Sequence, residues 1–268
     1  RAVIIEKNSQ ALLERVRLIQ NAKDEIILST FAFKSDESGK LILGALHDAA
    51  DRGVHVRILV DGMESWIDME GNPYFYGLSS HENVEIKLYN KANPLKPWKT
   101  MGRMHDKYLI ADGKIYILGG RNTYNYFLGD FPGHKNFDRD VLVVCDEPQK
   151  DNSVNQLWNY FETIWEQEDC RYFHNSKKLA DRQSVKKAVL ELQEGYQQYF
   201  EVNKENLKQD IRSYGLMEEI QWGAPLIEET YFEKGELAAE LFKERQSKAT
   251  AAVCFNDEMA LGFCKRMR

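Results

Sequence analysis

The sequence has no apolar run near the roughly 20 residues that a membrane-spanning helix needs, and no signal-peptide pattern at its start. It opens on Arg1 rather than on methionine, which leaves open an anchor or leader ahead of this residue. Its four cysteines lack metal-ligand spacing, and three of them lie in or beside apolar runs, which favours buried thiols and is compatible with a reducing compartment. The net charge of −6 does not indicate a general nucleic-acid-binding surface, and an anionic substrate would need a local basic patch.

Hydrophobic residues make up 43% of the chain, which is enough for a sizeable core. Up to residue 61, strand-like β-branched runs alternate with stretches whose apolar residues have helical spacing. Strands are predicted in AVIIEKN, EIILSTFAF and VHVRILVD, and helices in SQALLERVRLIQNAK and SGKLILGALHDAADRG. Ser38 is a candidate N-cap of the second helix, and Gly53 is a candidate stop. This alternation predicts an α/β sheet with parallel neighbours and helices on its faces.

The later segments are less regular. Residues 62–82 are predicted as a loop or lid, VEIKLY and RDVLVVC as strands, SVNQLWNYFETIWEQ as a helix, and residues 176 to about 213 as polar helix. A second, short α/β stretch follows. We therefore expect a main α/β domain at residues 1–170, a helical connector at 171–213 and a small α/β segment at 214–268.

One stretch, RMHDKYLIADGKIYILGGRN at residues 103–122, carries most of the functional signal. If residues 103–111 form a strand, His105 and Lys107 share one face, because successive side chains of a strand point to opposite faces. A His-x-Lys pair alone is usually only a polar strand face, so the rest of the stretch has to support a functional interpretation.

The Asp-Gly pair at residues 112–113 predicts a two-residue hairpin loop. With such a loop, Gly120 lies opposite His105, and Asn122 lies one step further on the same face. Because Gly119 and Gly120 have no side chains, this register predicts a clearing beside the imidazole in which another group could approach.

This face would bring an imidazole, an ammonium and a carboxamide together. A neutral, oriented His105 can attack phosphorus as a nucleophile. Lys107 supplies a positive charge and Asn122 neutral donors, and both would hold charge developing on the phosphate oxygens. Asp112 is about five residues from Lys107 along the strand, roughly 16 Å, so we predict that it forms the turn and does not touch the same phosphate.

HDKYLIADGKIYILGGRN resembles the His-x-Lys-x4-Asp-x6-Gly-(Gly/Ser)-x-Asn signature of the phospholipase D superfamily. IILSTFAFKSDESGKLILGALHDAADRGVHVRILVDG also resembles the region ahead of the first signature in cardiolipin synthase-like members. Covering about residues 1–200, the resemblance implies an α/β sandwich of a mixed β-sheet flanked by helices. It implies phosphodiester chemistry through a phosphohistidine, without a metal or cofactor. His105 would be nucleophile or acid, Lys107 and Asn122 phosphate ligands, and Asp112 the signature aspartate.

Relatives of this type carry two signatures, and their two histidines share one site, where one attacks and the other protonates the leaving oxygen. This sequence carries one signature, since no other histidine has the matching lysine and downstream residues. The resemblance therefore implies either a homodimer that completes the site or an absent or replaced second half.

The implied substrate is a phospholipid met at a membrane surface, with the chain membrane-associated or cytoplasmic. Hydrolysis and phosphatidyl transfer both stay open. A nuclease of the same superfamily is an alternative, against which the acidic net charge argues mildly.

Four more residues are candidates for roles around this site. In FDRDVLVV, Asp138 and Asp140 share a strand face, where a carboxylate behind the histidine would fix its tautomer. Exposed charges at a strand entrance are the equal alternative. Gly120 and Arg121 lie inside the signature and are candidates for substrate binding, although Arg121 could equally form a surface salt bridge.

The last 60 or so residues do not continue this pattern. PLIEETYFEKGELAAELFKER and ATAAVCFNDEMALGF resemble the late part of the sugar-binding domain of lactose-repressor-type regulators. That resemblance implies Asn256 and Asp257 as ligand contacts at a strand end. The alternative is that Asp257 only caps a helix. A fragment of a sugar-sensing regulator is therefore the rival function, although the stretch is too short for a complete two-lobed domain.

Overall fold

The structure, a computed structural model, describes residues 2–91, 102–145, 152–174 and 176–209. Across these ranges one sheet of eight strands forms the centre of the fold. The strands are β1 (Ala2–Ile5), β2 (Glu25–Thr30), β3 (His55–Asp61), β4 (Val84–Tyr89), β5 (Tyr108–Ala111), β6 (Ile115–Gly119), β7 (Asp140–Val144) and β8 (Cys170–Tyr172). The helices are α1 (Asn8–Asn21), α2 (Glu37–Asp51), α3 (Gly62–Asp68), α4 (Pro73–Ser79), α5 (Ser153–Trp165), α6 (Lys177–Ala180) and α7 (Gln183–Lys208).

The strands lie in the order β1-β7-β6-β5-β2-β3-β4-β8. β2 and β3 are parallel neighbours, as the alternation up to residue 61 predicts, and β4 continues them in parallel. β1 does not neighbour β2 but pairs antiparallel with β7 at an end of the sheet, and the other neighbouring pairs are antiparallel too. The predicted mixed sheet flanked by helices is thereby confirmed. Consequently the carboxyl ends of β2, β3, β4 and β6 meet the amino ends of β5 and β7 at one edge of the sheet.

Two hydrophobic cores lie on opposite faces of this sheet. In β2, Ile26 and Leu28 belong to one core and Ile27 to the other, because neighbouring side chains point to opposite faces. Phe161 and Trp165 of α5 cover the Ile27 face, whereas α1, α2, α4 and α7 cover the other. A strand that is apolar at successive positions is thus covered on both sides, which is typical of parallel strands.

The polar helix predicted from residue 176 onward is present as α6 and α7. One stripe of α7 is buried: Val185, Ala188, Leu192 and Tyr196. At Gly44 and Gly77 a side chain would collide with α7, so these glycines let the helix lie close to α2 and α4. The small α/β segment predicted at 214–268 lies outside the described residues.

Two local predictions were wrong. Residues 62–82 contain the helices α3 and α4 rather than a loop or lid, and at seven residues each these helices are too short for an apolar period to show. The N-cap of α2 is Asp36 rather than Ser38, because the Asp36 carboxylate accepts a hydrogen bond from the backbone N–H of Gly39 at 3.1 Å. The predicted stop at Gly53 has a φ of 92°, a left-handed conformation that favours glycine.

The predicted hairpin exists, but its bounds and register differ. β5 begins at Tyr108 rather than at residue 103, and Ala111 pairs with Ile115, so three residues rather than two form the loop. This shifts the pairing by one position. The backbone N–H of Gly119 consequently bonds to the carbonyl oxygen of Lys107 at 3.2 Å, and the glycines lie beside the lysine rather than beside His105.

β8, which was not predicted, is a three-residue strand paired antiparallel with β4. Among the described helices, none combines the length and the apolar character needed to cross a membrane.

Candidate active site

Three of the four signature residues, His105, Lys107 and Asn122, gather at the sheet edge where β2 and β3 end and β5 begins, whereas Asp112 lies at the opposite edge, beside the start of β2. His105 and Lys107 lie on the segment that leads into β5, and Asn122 follows the carboxyl end of β6. Asp138 precedes β7 at the same edge, where Gly119 pairs with Asp140. Carboxyl ends of parallel strands are the usual place for a ligand crevice in an open α/β sheet.

Phe31, which follows β2 directly, is the platform of this site and was not singled out from the sequence. The rings of Phe31 and His105 meet edge to face, with centroids 4.6 Å apart. Two cations lie over the same ring: the guanidinium of Arg103 at 4.9 Å and the ammonium of Lys107 at 5.2 Å from its centroid. One aromatic ring therefore holds the imidazole and both positive charges.

His105 is exposed, yet its pKa is lowered from the ordinary value of 6.5. Desolvation by partial burial is the largest cause, and the positive charges of Lys107 and Arg103 add to it, against Asp106 and Asp61. Each of these cations disfavours the imidazolium form. The lowered pKa favours the neutral ring, which is the form that can act as a nucleophile.

Lys107 is only 5% exposed, and its Nζ donates a hydrogen bond to the carbonyl oxygen of His105 at 2.6 Å. Burial lowers its pKa, whereas the carboxylates of Asp106 and Asp138 act in the opposite direction. The lysine thus ties its ammonium to the backbone of the histidine. A cation held there lies where an anionic phosphate would come within reach of the imidazole.

Asn122 is also buried, with 7% of its surface exposed. Its Oδ1 accepts a hydrogen bond from the backbone N–H of Ala32 at 3.2 Å, and its side chain is hydrogen-bonded to Tyr124. Because the oxygen accepts from a backbone donor, the amide orientation is set and Nδ2 is the donor group. One of its hydrogens serves Tyr124, and the other can be offered as a neutral donor to an oxyanion.

The glycines make room for carboxylates rather than for an open clearing beside His105. A Cβ at Gly119 would collide with Asp140, and one at Gly120 would collide with Asp138. The predicted clearing is therefore wrong, because it rested on the two-residue loop. Gly120 does lie at the site, where its missing side chain leaves the space that the Asp138 carboxylate occupies.

Arg121 does not face the site. It is 1% exposed, and its guanidinium donates to Asn8 Oδ1 at 3.2 Å and to the carbonyl oxygens of Ile5 and Glu6. It also forms an ion pair with Asp140 at 3.3 Å. Both predictions for this residue, a substrate contact and a surface salt bridge, are corrected to a buried ion pair with Asp140 next to the end of β1.

Asp140 is likewise held away from a catalytic role by its partners. Its Oδ2 lies 2.9 Å from Nη1 of Arg15 and 3.3 Å from Nη1 of Arg121, with the residue 2% exposed. Against the burial that lowers the pKa of Lys107, the negative charge of Asp138 acts to raise it. Oδ1 of Asp138 accepts a hydrogen bond from the backbone N–H of Arg139 at 2.7 Å. Neither of the carboxylates predicted behind His105 is thus shown there: Asp138 acts on Lys107, and Asp140 binds two buried arginines.

Asp112 lies at the turn, with a φ of 52°. Its carboxylate accepts hydrogen bonds from the backbone N–H groups of Lys23, Asp24 and Glu25 at 2.8–3.1 Å. Its contacts are therefore those of a residue that joins the turn to the start of β2. Asn256 and Asp257, the predicted sugar contacts, lie outside the described residues, and the sugar-sensing alternative stays a prediction.

In the described ranges, no group of three or more His, Cys, Asp or Glu side chains is placed to hold a metal ion.

Residues 16–165, more than half of the chain, match the family model described as cardiolipin synthase, PLD-like domain. The chain therefore belongs to this family within the phospholipase D superfamily, and the resemblance read from the signature is confirmed.

Three known proteins illustrate the relationship. An uncharacterized protein of Helicobacter pylori is 33% identical over 177 residues, which cover 61% of this chain and 34% of that protein. Cardiolipin synthase C of Escherichia coli is 29% identical over 154 residues, or 52% of this chain and 31% of the relative. Phosphatidylserine synthase of Haemophilus influenzae, at 16% identity, has a TM-score of 0.50 over 74% of this chain and 44% of its own. The last likeness concerns the fold alone. The matched segments span only about a third of the first two relatives.

Proposed function

We propose that this chain carries the nucleophilic half of a site that cleaves or transfers the phosphodiester of a phospholipid, as in a cardiolipin synthase-type reaction. One observation carries the proposal: a neutral, exposed imidazole lies beside a buried ammonium and an oriented carboxamide at a single sheet edge. Membership of the cardiolipin synthase-type family supports the choice of a phospholipid.

The reaction has two steps. In the first, a ring nitrogen of His105 bonds to phosphorus while the bond to the leaving alcohol oxygen breaks, and that oxygen takes up a proton. In the second, water or another alcohol attacks phosphorus and passes its proton to the group that acted as acid in the first step, the phosphorus–nitrogen bond breaks, and the imidazole is released. Water gives hydrolysis and a lipid alcohol gives transfer. Lys107 and Asn122 hold the non-bridging oxygens in both steps, and the Phe31 ring limits water around them.

The leaving alkoxide needs an acid, and help from a general acid is typically worth about 10²–10⁴-fold in rate. Four of the other histidines lie toward the opposite edge of the sheet: His47, His55, His81 and His174. The fifth, His134, contacts Asn136 on the segment before β7. In the part of the chain that the structure describes, no second imidazole is recorded in contact with His105. A second copy of the chain, or a further segment of the protein, is the source we propose for that acid.

Contact with a membrane surface has support close to the site. Trp66 and Ile67 of α3 are 60% and 64% exposed, and Arg103 at the site bonds to Glu64 of the same helix at 2.9 Å. Exposed Trp and Ile side chains next to a phosphodiester site suit the boundary between lipid headgroups and acyl chains.

Trapping of a covalent phospho-enzyme tests the proposal. The chain is incubated with vesicles of labelled phosphatidylglycerol, quenched at alkaline pH, digested and analysed for labelled peptides. We expect label on the peptide that contains His105, and no label or turnover in His105→Ala, because no other group of the cluster can form the bond. His55→Ala, which removes an exposed imidazole at the opposite edge, is the matched control and should label normally.

A parallel incubation with a labelled oligonucleotide decides between substrates. Label on His105 from the oligonucleotide but not from the lipid would establish the nuclease alternative and reject the phospholipid. Full activity of purified His105→Ala would reject the phosphohistidine altogether.

A further inference from the structure

Asp61, the last residue of β3, is fully buried at the sheet edge that carries the site. Its Oδ1 accepts hydrogen bonds from the backbone N–H groups of Met63 and Glu64, at 3.0 and 3.2 Å, at the start of α3. The same oxygen accepts from Nε of Arg103 at 2.9 Å, and Oδ2 accepts from the backbone N–H of Met104 at 3.0 Å. A single carboxylate thus joins β3, α3 and the segment that ends at His105.

The bond to Met104 acts one residue ahead of the histidine. The Met104 side chain is 5% exposed, and its sulfur lies 3.6 Å from the Ser29 hydroxyl and 3.3 Å from the backbone nitrogen of Asp106. The backbone before His105 is therefore held from one side by Asp61 and from the other by the packed methionine. With the backbone set in this way, the imidazole lies against Phe31.

We propose that Asp61 is a positioning residue that fixes the imidazole of His105, beyond its part in starting α3. The proposal rests on the proposed role of His105 in catalysis. The carboxylate acts on the placement of the ring through its hydrogen bonds with Met104 and Arg103. A rate loss of about 10²-fold is the scale for a misplacement of about 1 Å at a reacting group.

Asp36 supplies the matched control, because it caps a helix without contacting the His105 segment. Its carboxylate accepts from the backbone N–H groups of Gly39 and Asn125, at 3.1 and 2.8 Å. Asp36→Asn and Asp61→Asn remove the same charge from two helix N-termini. Asp61→Ser is the third variant, since serine is a good N-cap but is too short to reach Met104 and Arg103.

The experiment measures the pKa of His105 by NMR of histidine-labelled protein, together with kcat and KM on the substrate that labels the enzyme. In both Asp61 variants we expect the pKa of His105 to fall further, because a negative charge that favours the imidazolium is gone. We expect kcat to fall by about 10²-fold with KM nearly unchanged. Asp36→Asn should lower the melting temperature while leaving the pKa and kcat at their wild-type values.

Arg103→Gln, at an exposed position, gives a measurement that does not depend on the folding of the Asp61 variants. It removes a positive charge and a partner of Asp61, so the pKa of His105 should rise while kcat falls. If the Asp61 variants match Asp36→Asn in pKa and kcat, or if Arg103→Gln changes neither, Asp61 only starts a helix and the proposal is overturned. If the pKa of His105 changes and the ring signals of His105 and Phe31 shift in a protein that turns over no phosphodiester, the positioning role stands and the proposed function fails.

Discussion

Replacing Asp140 by asparagine separates the two roles that its position allows. The carboxylate is buried between Arg15 and Arg121, at 2.9 and 3.3 Å, and the side chains of Arg121 and Asp140 have no exposed surface. Asparagine has nearly the same volume, so the change leaves no cavity. It does leave two guanidinium groups without the charge that compensates them.

Removing one partner of a buried ion pair costs about 3–5 kcal/mol of the free energy of unfolding. For a domain of this size, about 1 kcal/mol corresponds to a shift of about 2–4 °C in Tm, so Tm should fall by roughly 6–20 °C. The low end applies if the asparagine oxygen keeps one of the two hydrogen bonds. Urea denaturation followed by circular dichroism measures the loss, with Asp130→Asn at an exposed position as the control.

Activity at a temperature where both proteins are folded completes the test. We expect Asp140→Asn to keep most of its kcat, because the structure ties Asp140 to arginines rather than to the imidazole. A loss of stability below about 1 kcal/mol together with a rate loss above about 10²-fold would refute this reasoning and restore the catalytic role predicted from the sequence.

Three further outcomes are expected. Lys107→Met and Asn122→Ala should each lower kcat by about 10²–10³-fold, the scale for one charge-stabilising donor, whereas a change in KM alone would indicate simple binding. The acid limb of kcat/KM should lie below pH 6.5, because burial and neighbouring cations lower the pKa of His105 and keep the attacking ring neutral at lower pH; a limb above 6.5 would contradict this assignment. Trp66→Ser combined with Ile67→Ser should weaken sedimentation with phosphatidylglycerol vesicles but leave hydrolysis of a small soluble phosphodiester intact, and unchanged vesicle binding would argue against α3 as the contact.

The sequence predicts the fold well where apolar periodicity is long and unbroken. β2, β3, α1 and α2 follow from it, because each buries a stripe or a face that repeats over several residues. The seven-residue helices α3 and α4 do not, since they depend on single caps such as Asp61 and Asn72. β8, with three residues, is held by its pairing with β4 rather than by a pattern of its own.

The hairpin register could not be derived from the Asp-Gly pair alone. Asp112 and Gly113 both adopt left-handed conformations, as a two-residue loop requires, but the strand pairing resumes only at Ile115. The amino end of β5 was also extended too far, because residues 103 and 104 are held by the Asp61 carboxylate instead of by a neighbouring strand. Local sequence does not contain that long-range contact.

Phe31 and Asp61 could have been found from a signal that was present. Asp61 ends a predicted parallel strand and Phe31 lies two residues before the end of another, close to the edge where an open α/β sheet places its ligand crevice. The signature covers residues 103–122, whereas Phe31 and Asp61, which hold that segment, come from strands about 40 to 80 residues earlier in the chain. A search for aromatic and acidic residues at every parallel strand end would have included both.

The end of the signature joins the site to the core through two alternating sets of residues. Gly120 gives space to the carboxylate of Asp138, whose charge acts on Lys107, and the backbone N–H of Ala32 fixes Asn122 next to the end of β2. Between them, Arg121 lies in the interior and binds Asp140. The alternation explains why neighbours in one motif have different contacts: Gly120 and Asn122 lie at the candidate site, whereas Arg121 is buried and fixes the backbone between them. Substitutions at Arg121 should therefore lower stability first, and those at Asn122 turnover first.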